Sequence, residues 1–393
     1  MMQAGGPYWT RHPPVLLQRT TAPEIEVSMK KSTTLSVIIL LIALGFAVAQ
    51  EVEETLPPIA DLDQLHQFLL KKEKAGEFSG AVLIARDGTP LFENAYGYAS
   101  KRFDVRNTLD TKFNLGSINK LFTSIAILQL ADGGKVSLDD PIGKYLDIFP
   151  SHIAEKVTLR QLLDMSSGWG DYWENADFKA SQFNLRTVPD YMEFIKDIPL
   201  DFEPGTSIQH CNTGFEVAGA VIEKVTGDDY FEYIRSHIYE PLGMKDTDSF
   251  HRDGPAKNLA TGYTDLTPEG EPGGGYQWSN MYLLSPRGTP AGGGYSTVTD
   301  LLEISKALRN NTILSEDYTR IIWNAFRGEP GDPINPLILE RMWVSAGGAP
   351  GISAILAIGI DSGLTCIVLS NYDFPVALDI FKEIRRMDLD RAN

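Results

Sequence analysis

Phe113-Asn-Leu-Gly-Ser117-Ile-Asn-Lys120-Leu-Phe-Thr-Ser-Ile-Ala-Ile-Leu-Gln-Leu130 sets a hydroxyl and an amine three residues apart at the head of a helical pattern. Leu121, Ile125, Ile127 and Leu128 follow at helical spacing, and Asp132-Gly133-Gly134 stops the run. Residues three apart on a helix share a face, about 5 Å apart along the axis, so the Lys120 amine reaches the Ser117 oxygen. A serine hydroxyl is a poor nucleophile near neutral pH and needs a neighbour to take its proton. A lysine does this once burial and the positive end of a helix lower its pKa. The same spacing in Ser28-Met-Lys-Lys31 falls in a segment that cannot be an active site, so the pattern gains meaning only from its surroundings. Read alone, Ser117 is an ordinary first-turn serine and Lys120 a solvated helix residue.

The surroundings form an ordered series. Gly134-Lys-Val-Ser-Leu-Asp-Asp-Pro-Ile-Gly-Lys-Tyr-Leu146, Val157-Thr-Leu-Arg-Gln-Leu-Leu-Asp-Met-Ser-Ser-Gly168 and Phe202-Glu-Pro-Gly-Thr206 come first. Asn212-Thr-Gly-Phe-Glu-Val-Ala-Gly-Ala-Val-Ile-Glu-Lys-Val-Thr-Gly227 and Pro241-Leu-Gly-Met244 follow. Together with the serine-lysine pair, this series resembles the serine β-lactamase-related family, which includes class C β-lactamases, penicillin-binding DD-peptidases and family VIII-type esterases. The resemblance runs from about Leu62 to the C-terminal helix.

Two motifs depart from the family pattern. The family's Tyr-x-Asn matches His210-Cys211-Asn212, so the asparagine stays and the tyrosine becomes a histidine. An imidazole with an ordinary pKa near 6.5 serves as base and then acid around neutrality, which makes His210, Lys120 and Ser117 a candidate proton-transfer cluster. A loop histidine that only packs or hydrogen-bonds is the competing reading. The family's Lys-Thr-Gly or His-x-Gly aligns with Ser345-Ala346-Gly347, followed by Gly348-Ala-Pro-Gly351. Ser345 offers a neutral hydroxyl where the family binds a substrate carboxylate, which speaks against a β-lactam or D-Ala-D-Ala substrate and for a neutral ester or amide. An oxyanion hole needs only backbone N–H groups, and the resemblance assigns them to Ser117 and Gly348, beside Ser345 and Gly347 in the substrate-binding strand. Asp171, Arg287 and Arg341 are further charges whose direction the sequence leaves open.

The chain has 393 residues and a formal net charge of −17, a balance that disfavours nucleic acid and anionic lipid. Met29-Lys30-Lys31, the apolar run Leu35 to Ala49 and Ala47-Val48-Ala49 before Gln50 read as a bacterial-type signal peptide over 29–49. Residues 1–28 then read as an upstream extension, with translation expected to start at Met29. A retained membrane anchor is the alternative, although about 15 apolar residues is short for a span. The expectation is an exported protein, periplasmic or secreted, free of the membrane after cleavage. Cys211 and Cys366 make no disulfide framework. Gly273–Gly275 and Gly292–Gly294 lack the context of nucleotide loops, and the six histidines show no zinc pattern. No metal or organic cofactor is implied.

Asp61 to Lys74 carries a helical stripe of Leu62, Leu65, Phe68 and Leu69. Asp87-Gly88 between Ser79–Ile84 and Pro90–Tyr98 signals a hairpin, and Asp361-Ser-Gly363 between Ile352–Ile360 and Leu364–Ser370 a second. Val376 to Met387 reads as a final helix. The expected fold is α+β, of β-lactamase/transpeptidase-like type: an antiparallel sheet from both termini flanked by helices, plus a mainly helical subdomain. Sheet parts are expected at about 60–110 and 290–393 and the helical part at about 111–289, all within one domain over 50–393. The resemblance implies a reactive site between the two parts. Asn175–Asn184 and Thr264–Asn280 read as rim loops, with Trp169, Tyr172, Trp173, Trp278 and Tyr282 either lining the mouth or packing.

The leading reading is a serine hydrolase that forms a covalent acyl-enzyme on a small ester or peptide-like amide. Ser117 attacks, Lys120 and His210 move protons, and Asn212 orients. A non-catalytic binding protein on the same scaffold is the rival, since two motifs are altered. A DD-peptidase or β-lactamase that draws its cation from an arginine such as Arg341 is a third. The sequence leaves the oligomeric state open.

Overall fold

A computed structural model describes residues 59–324 and 342–387. The signal segment, the upstream residues 1–28 and Arg341 lie outside the described residues. Among the described residues, no helix is long and apolar enough to cross a membrane.

The main sheet has five strands: β1 (Gly80–Arg86), β2 (Thr89–Tyr96), β3 (Met342–Ala349), β4 (Ile352–Gly359) and β5 (Leu364–Ser370), in spatial order β2-β1-β5-β4-β3. Every neighbouring pair is antiparallel, and the N-terminal hairpin joins the C-terminal meander from Gly80↔Ser370 to Arg86↔Leu364. Asp87 and Gly88 have φ of 49° and 80°, the left-handed pair that a two-residue hairpin turn needs.

The central strands β1, β4 and β5 are buried on both faces, which is why they read as nearly unbroken apolar runs. Val82, Ile84, Ile355, Ala357 and Val368 point to one face, while Ala81, Leu83, Ala354, Leu356 and Leu369 point to the other. Five helices organise the rest: α1 (Leu62–Lys74), α2 (Lys120–Asp132), α3 (Thr213–Thr226), α4 (Val298–Arg309) and α5 (Val376–Arg385). Leu65 and Leu69 of α1 and Leu378 and Phe381 of α5 cover the first face. The Asp61 carboxylate caps α1 by accepting the Gln64 N–H at 2.8 Å. The second face carries α4 and opens into the helical part, whose core is continuous with it through Phe122, Leu128, Phe215 and Leu301. The architecture is the expected α+β arrangement.

Two local readings differ and one left open is decided. The expected apolar stripe of α2 is in fact burial on almost every side, because the helix runs through the middle of the larger core. Asn175–Asn184 is not a loop: Asn175 accepts from the Asp177 and Phe178 N–H groups and starts a helix, Ala176–Ser181, followed by a tight turn. Phe178 is fully buried against Tyr172, Trp173 and Tyr191. Trp169 and Tyr172 are likewise core residues, 1% and 2% exposed, whereas Trp278 and Tyr282 are exposed. Trp169 owes its burial to an apolar cage and one hydrogen bond from its indole to the Ile198 carbonyl at 3.1 Å.

Candidate active site

Ser117 lies not on α2 but on the 3₁₀ turn before it, Gly116–Asn119. In a 3₁₀ turn residues three apart eclipse one another, so Ser117 and Lys120 face the same way more directly than on an α-helix. The turn is held from outside. Phe113–Asn114 pairs with Tyr295–Ser296, Leu115 donates to the Gly294 carbonyl at 2.7 Å, and Gly293 donates to the Gly116 carbonyl at 3.2 Å. Asn119 adds a bond from its side-chain amide to the Thr289 carbonyl at 2.7 Å. A side chain at Gly294 would come within 2.2 Å of the Asn119 oxygen. Gly292 and Gly294 therefore serve close packing on the nucleophile turn.

Lys120 is buried, 1% exposed, and its amine has three acceptors around it. These are Asn212 Oδ1 at 2.6 Å, the Ala291 carbonyl at 2.6 Å and Ser117 Oγ at 3.1 Å. An ammonium would fill all three with its N–H groups. A free amine gives its two protons to the carbonyl oxygens, which cannot donate, and keeps its lone pair for the Ser117 hydroxyl. Burial pulls the Lys120 pKa down to about 8, while the Asp171 and Glu216 carboxylates oppose the shift.

Asn212 owes its orientation to Asp171. Its side-chain amide donates to Asp171 Oδ2 at 2.7 Å, which turns the amide oxygen toward Lys120. Asp171 also accepts from the backbone N–H groups of Asn212 at 3.2 Å and Trp173 at 3.1 Å. Burial still raises its pKa above the ordinary carboxylate value. Cys211 donates weakly to the Gly170 carbonyl, and burial pushes its thiol up to about 11, so it is no rival nucleophile.

His210 sits at the exposed mouth, yet the protein packed around its ring desolvates the imidazole. That desolvation, aided by the Lys120 cation, lowers its pKa from the expected 6.5 to about 4. The ring is therefore neutral in the resting site at neutral pH. A proton in the resting site at neutral pH therefore sits on Lys120 and not on His210.

Edge strand β3 closes the site. Ser345 and Gly347 share the strand face of Trp343, whose side chain belongs to the core on the helical side. A side chain at Gly347 would fall 1.9 Å from the Leu115 carbonyl oxygen and 3.0 Å from the Ser117 nitrogen. One at Gly116, where φ is 50°, would fall 2.9 Å from the Gly348 nitrogen. The Ser117 and Gly348 nitrogens thus approach across a contact that only glycine permits. Phe374 packs against Gly348 and is 40% exposed there.

The structure brings together Ser117, Lys120, Asn212 and Asp171 by hydrogen bonds and sets β3 against the serine turn. Arg287 belongs elsewhere: it donates to the Ser249 carbonyl at 3.1 Å and lies 3.4 Å over the Phe231 ring. Two contributors escaped the sequence reading. The Ala291 carbonyl carries no side-chain signal. Glu216 did carry one, a carboxylate inside the apolar run Phe215-Glu-Val-Ala218 of α3.

A Beta-lactamase family profile matches residues 65–390. Penicillin-binding protein 4* of Bacillus subtilis is 28% identical over 313 residues, 75% of this chain and 68% of that protein. Esterase EstB of Burkholderia gladioli is 29% identical over 261 residues, 59% of this chain and 66% of the esterase. The chain thus spans about two thirds of the length of these two relatives. Among solved structures, the penicillin binding protein from Bacillus halodurans superposes with a TM-score of 0.71 at 27% identity, covering 82% of this chain and 98% of that one.

Proposed function

The chain belongs to the Beta-lactamase family, and on that premise we propose that it is a serine hydrolase that forms an acyl-enzyme on Ser117 with a neutral ester or amide as substrate. The observation that carries the reading is the buried Lys120 amine, 3.1 Å from the Ser117 oxygen and saturated on its other sides by two acceptors. In this mechanism the Ser117 oxygen attacks the acyl carbon and its proton passes to Lys120. The carbonyl oxygen gains negative charge between the Ser117 and Gly348 N–H groups. Lys120 gives that proton up, by way of the His210 ring at the mouth, to the leaving group as the carbon–oxygen or carbon–nitrogen bond breaks. Water then attacks the acyl carbon, and the amine takes its proton and hands it to the Ser117 oxygen as the acyl–serine bond breaks.

The neutral hydroxyl of Ser345 supports a substrate without a carboxylate at that position, as does the esterase among the relatives. We also propose export through the segment 29–49, which N-terminal sequencing of the mature protein would test. The decisive experiment is turnover of p-nitrophenyl butyrate by wild type and Ser117→Ala, with mass spectrometry of the trapped protein. Turnover confined to wild type, with acyl mass on the Ser117 peptide, is the expected result. Failure of a fluorophosphonate to label wild type would leave a binding protein on the same scaffold.

A further inference from the structure

Glu216 is fully enclosed, 0% exposed, on α3. Its Oε1 accepts from the Thr289 hydroxyl at 2.5 Å and the Tyr172 hydroxyl at 3.2 Å, while Oε2 has no hydrogen-bond partner among the described residues. A carboxyl enclosed with half its acceptor capacity unused destabilises the fold relative to an apolar side chain of the same size. What it does hold is a turn. The one proton of the Thr289 hydroxyl goes to Glu216, so the Ala291 N–H bonds to the hydroxyl oxygen at 3.2 Å. The turn is closed by Thr289 N–H to the Gly292 carbonyl at 2.7 Å and tied to the start of α2 through Asn119. With its N–H fixed on Thr289, Ala291 aims its carbonyl at the Lys120 amine, 2.6 Å away.

We propose that Glu216 is a positioning residue for Lys120: through Thr289 it fixes the turn whose Ala291 carbonyl sets the amine beside Ser117. The inference rests on the roles given to Ser117 and Lys120 above. The link is electrostatic as well as mechanical. Glu216 faces Lys120 of α2, Tyr172, Tyr191 of the helix Val188–Ile195 and Tyr230 of the helix Tyr230–Ile234. Asp171 also acts on Lys120. Burial raises the pKa values of the three tyrosines, which therefore stay neutral, and raises that of Glu216 to about 7. As Glu216 ionises, its charge favours the ammonium form of Lys120, so removing the charge must make the amine easier to deprotonate.

Wild type, Glu216→Gln, Thr289→Val and Thr289→Ser form the test set. Lysine labelled with 13C at Cε gives the Lys120 titration by NMR, assigned with Lys120→Arg, and a fluorophosphonate gives the rate of Ser117 labelling. The expected result is a Lys120 midpoint lower by about half a pH unit or more in Glu216→Gln. Thr289→Val should label about tenfold more slowly than wild type, and Thr289→Ser should recover the rate. An unchanged midpoint in Glu216→Gln, or a wild-type labelling rate in Thr289→Val, overturns the proposal. Should Glu216→Gln not fold, the two Thr289 variants decide it. Should wild type resist labelling, the hydrolase reading fails and the NMR midpoint alone decides the positioning of Lys120.

Discussion

At the residue scale the site depends on one amine that must be free of its proton to accept another. Because the buried Lys120 has a pKa of about 8, roughly a tenth of the molecules hold the free base at neutral pH. For a neutral ester, kcat/KM should rise with pH and level off above about 8, with no inflection near 6.5 because His210 has already lost its proton. A steady-state pH profile of p-nitrophenyl butyrate hydrolysis checks this. Lys120 also links function to stability. Its folded pKa lies below the ordinary 10.5, so between about 8 and 10.5 the unfolded chain binds the proton that the native state has released. Stability of wild type relative to Lys120→Met should therefore increase as pH rises through that window, by up to about 3 kcal/mol. Urea unfolding of both proteins at several alkaline pH values gives the difference. His210 shows why residue chemistry is only partly legible in a sequence: the motif located the imidazole, but its pKa is moved by desolvation and by the Lys120 cation, ninety residues away in the chain.

At the element scale, the serine turn and strand β3 are pressed together along Gly116, Gly347 and Gly348. Gly347→Ala would drive a methyl into the Leu115 carbonyl oxygen, so β3 must retreat from Ser117. We expect a loss of about 2 kcal/mol or more, read as a lower Tm, together with at least a tenfold fall in fluorophosphonate labelling. Loss of stability without loss of labelling would show that the oxyanion contact lies elsewhere. Strands β1, β2, β4 and β5 and helices α1 and α5 were legible because their apolar runs and turn residues state one period clearly. The 3₁₀ turn was not, since a first helical turn and a 3₁₀ turn use the same residues and differ only in what grips them. The grip here comes from Thr289–Gly294, about 170 residues downstream of Asn119. The rim helix Ala176–Ser181 was missed because its polar composition hides one anchor, Phe178.

At the scale of the whole molecule, a chain of net charge −17 carries a site whose Ser345 supplies no cation. Anionic esters should be poorer substrates than neutral ones, and added salt should narrow the gap by screening, while neutral esters stay indifferent. Measuring kcat/KM for a neutral and a carboxylated ester across ionic strength tests this; equal salt responses would contradict it. The sheet order carries a different consequence. Strand β5, synthesised more than two hundred and fifty residues after β1, sits beside it, and β3 completes the pocket around a serine made more than two hundred residues earlier. A nascent chain emerging from the ribosome therefore holds its alcohol and amine without the backbone that would make them dangerous. Reactivity arrives late, when the closing strands dock, and no shorter polypeptide ending before them should acylate anything.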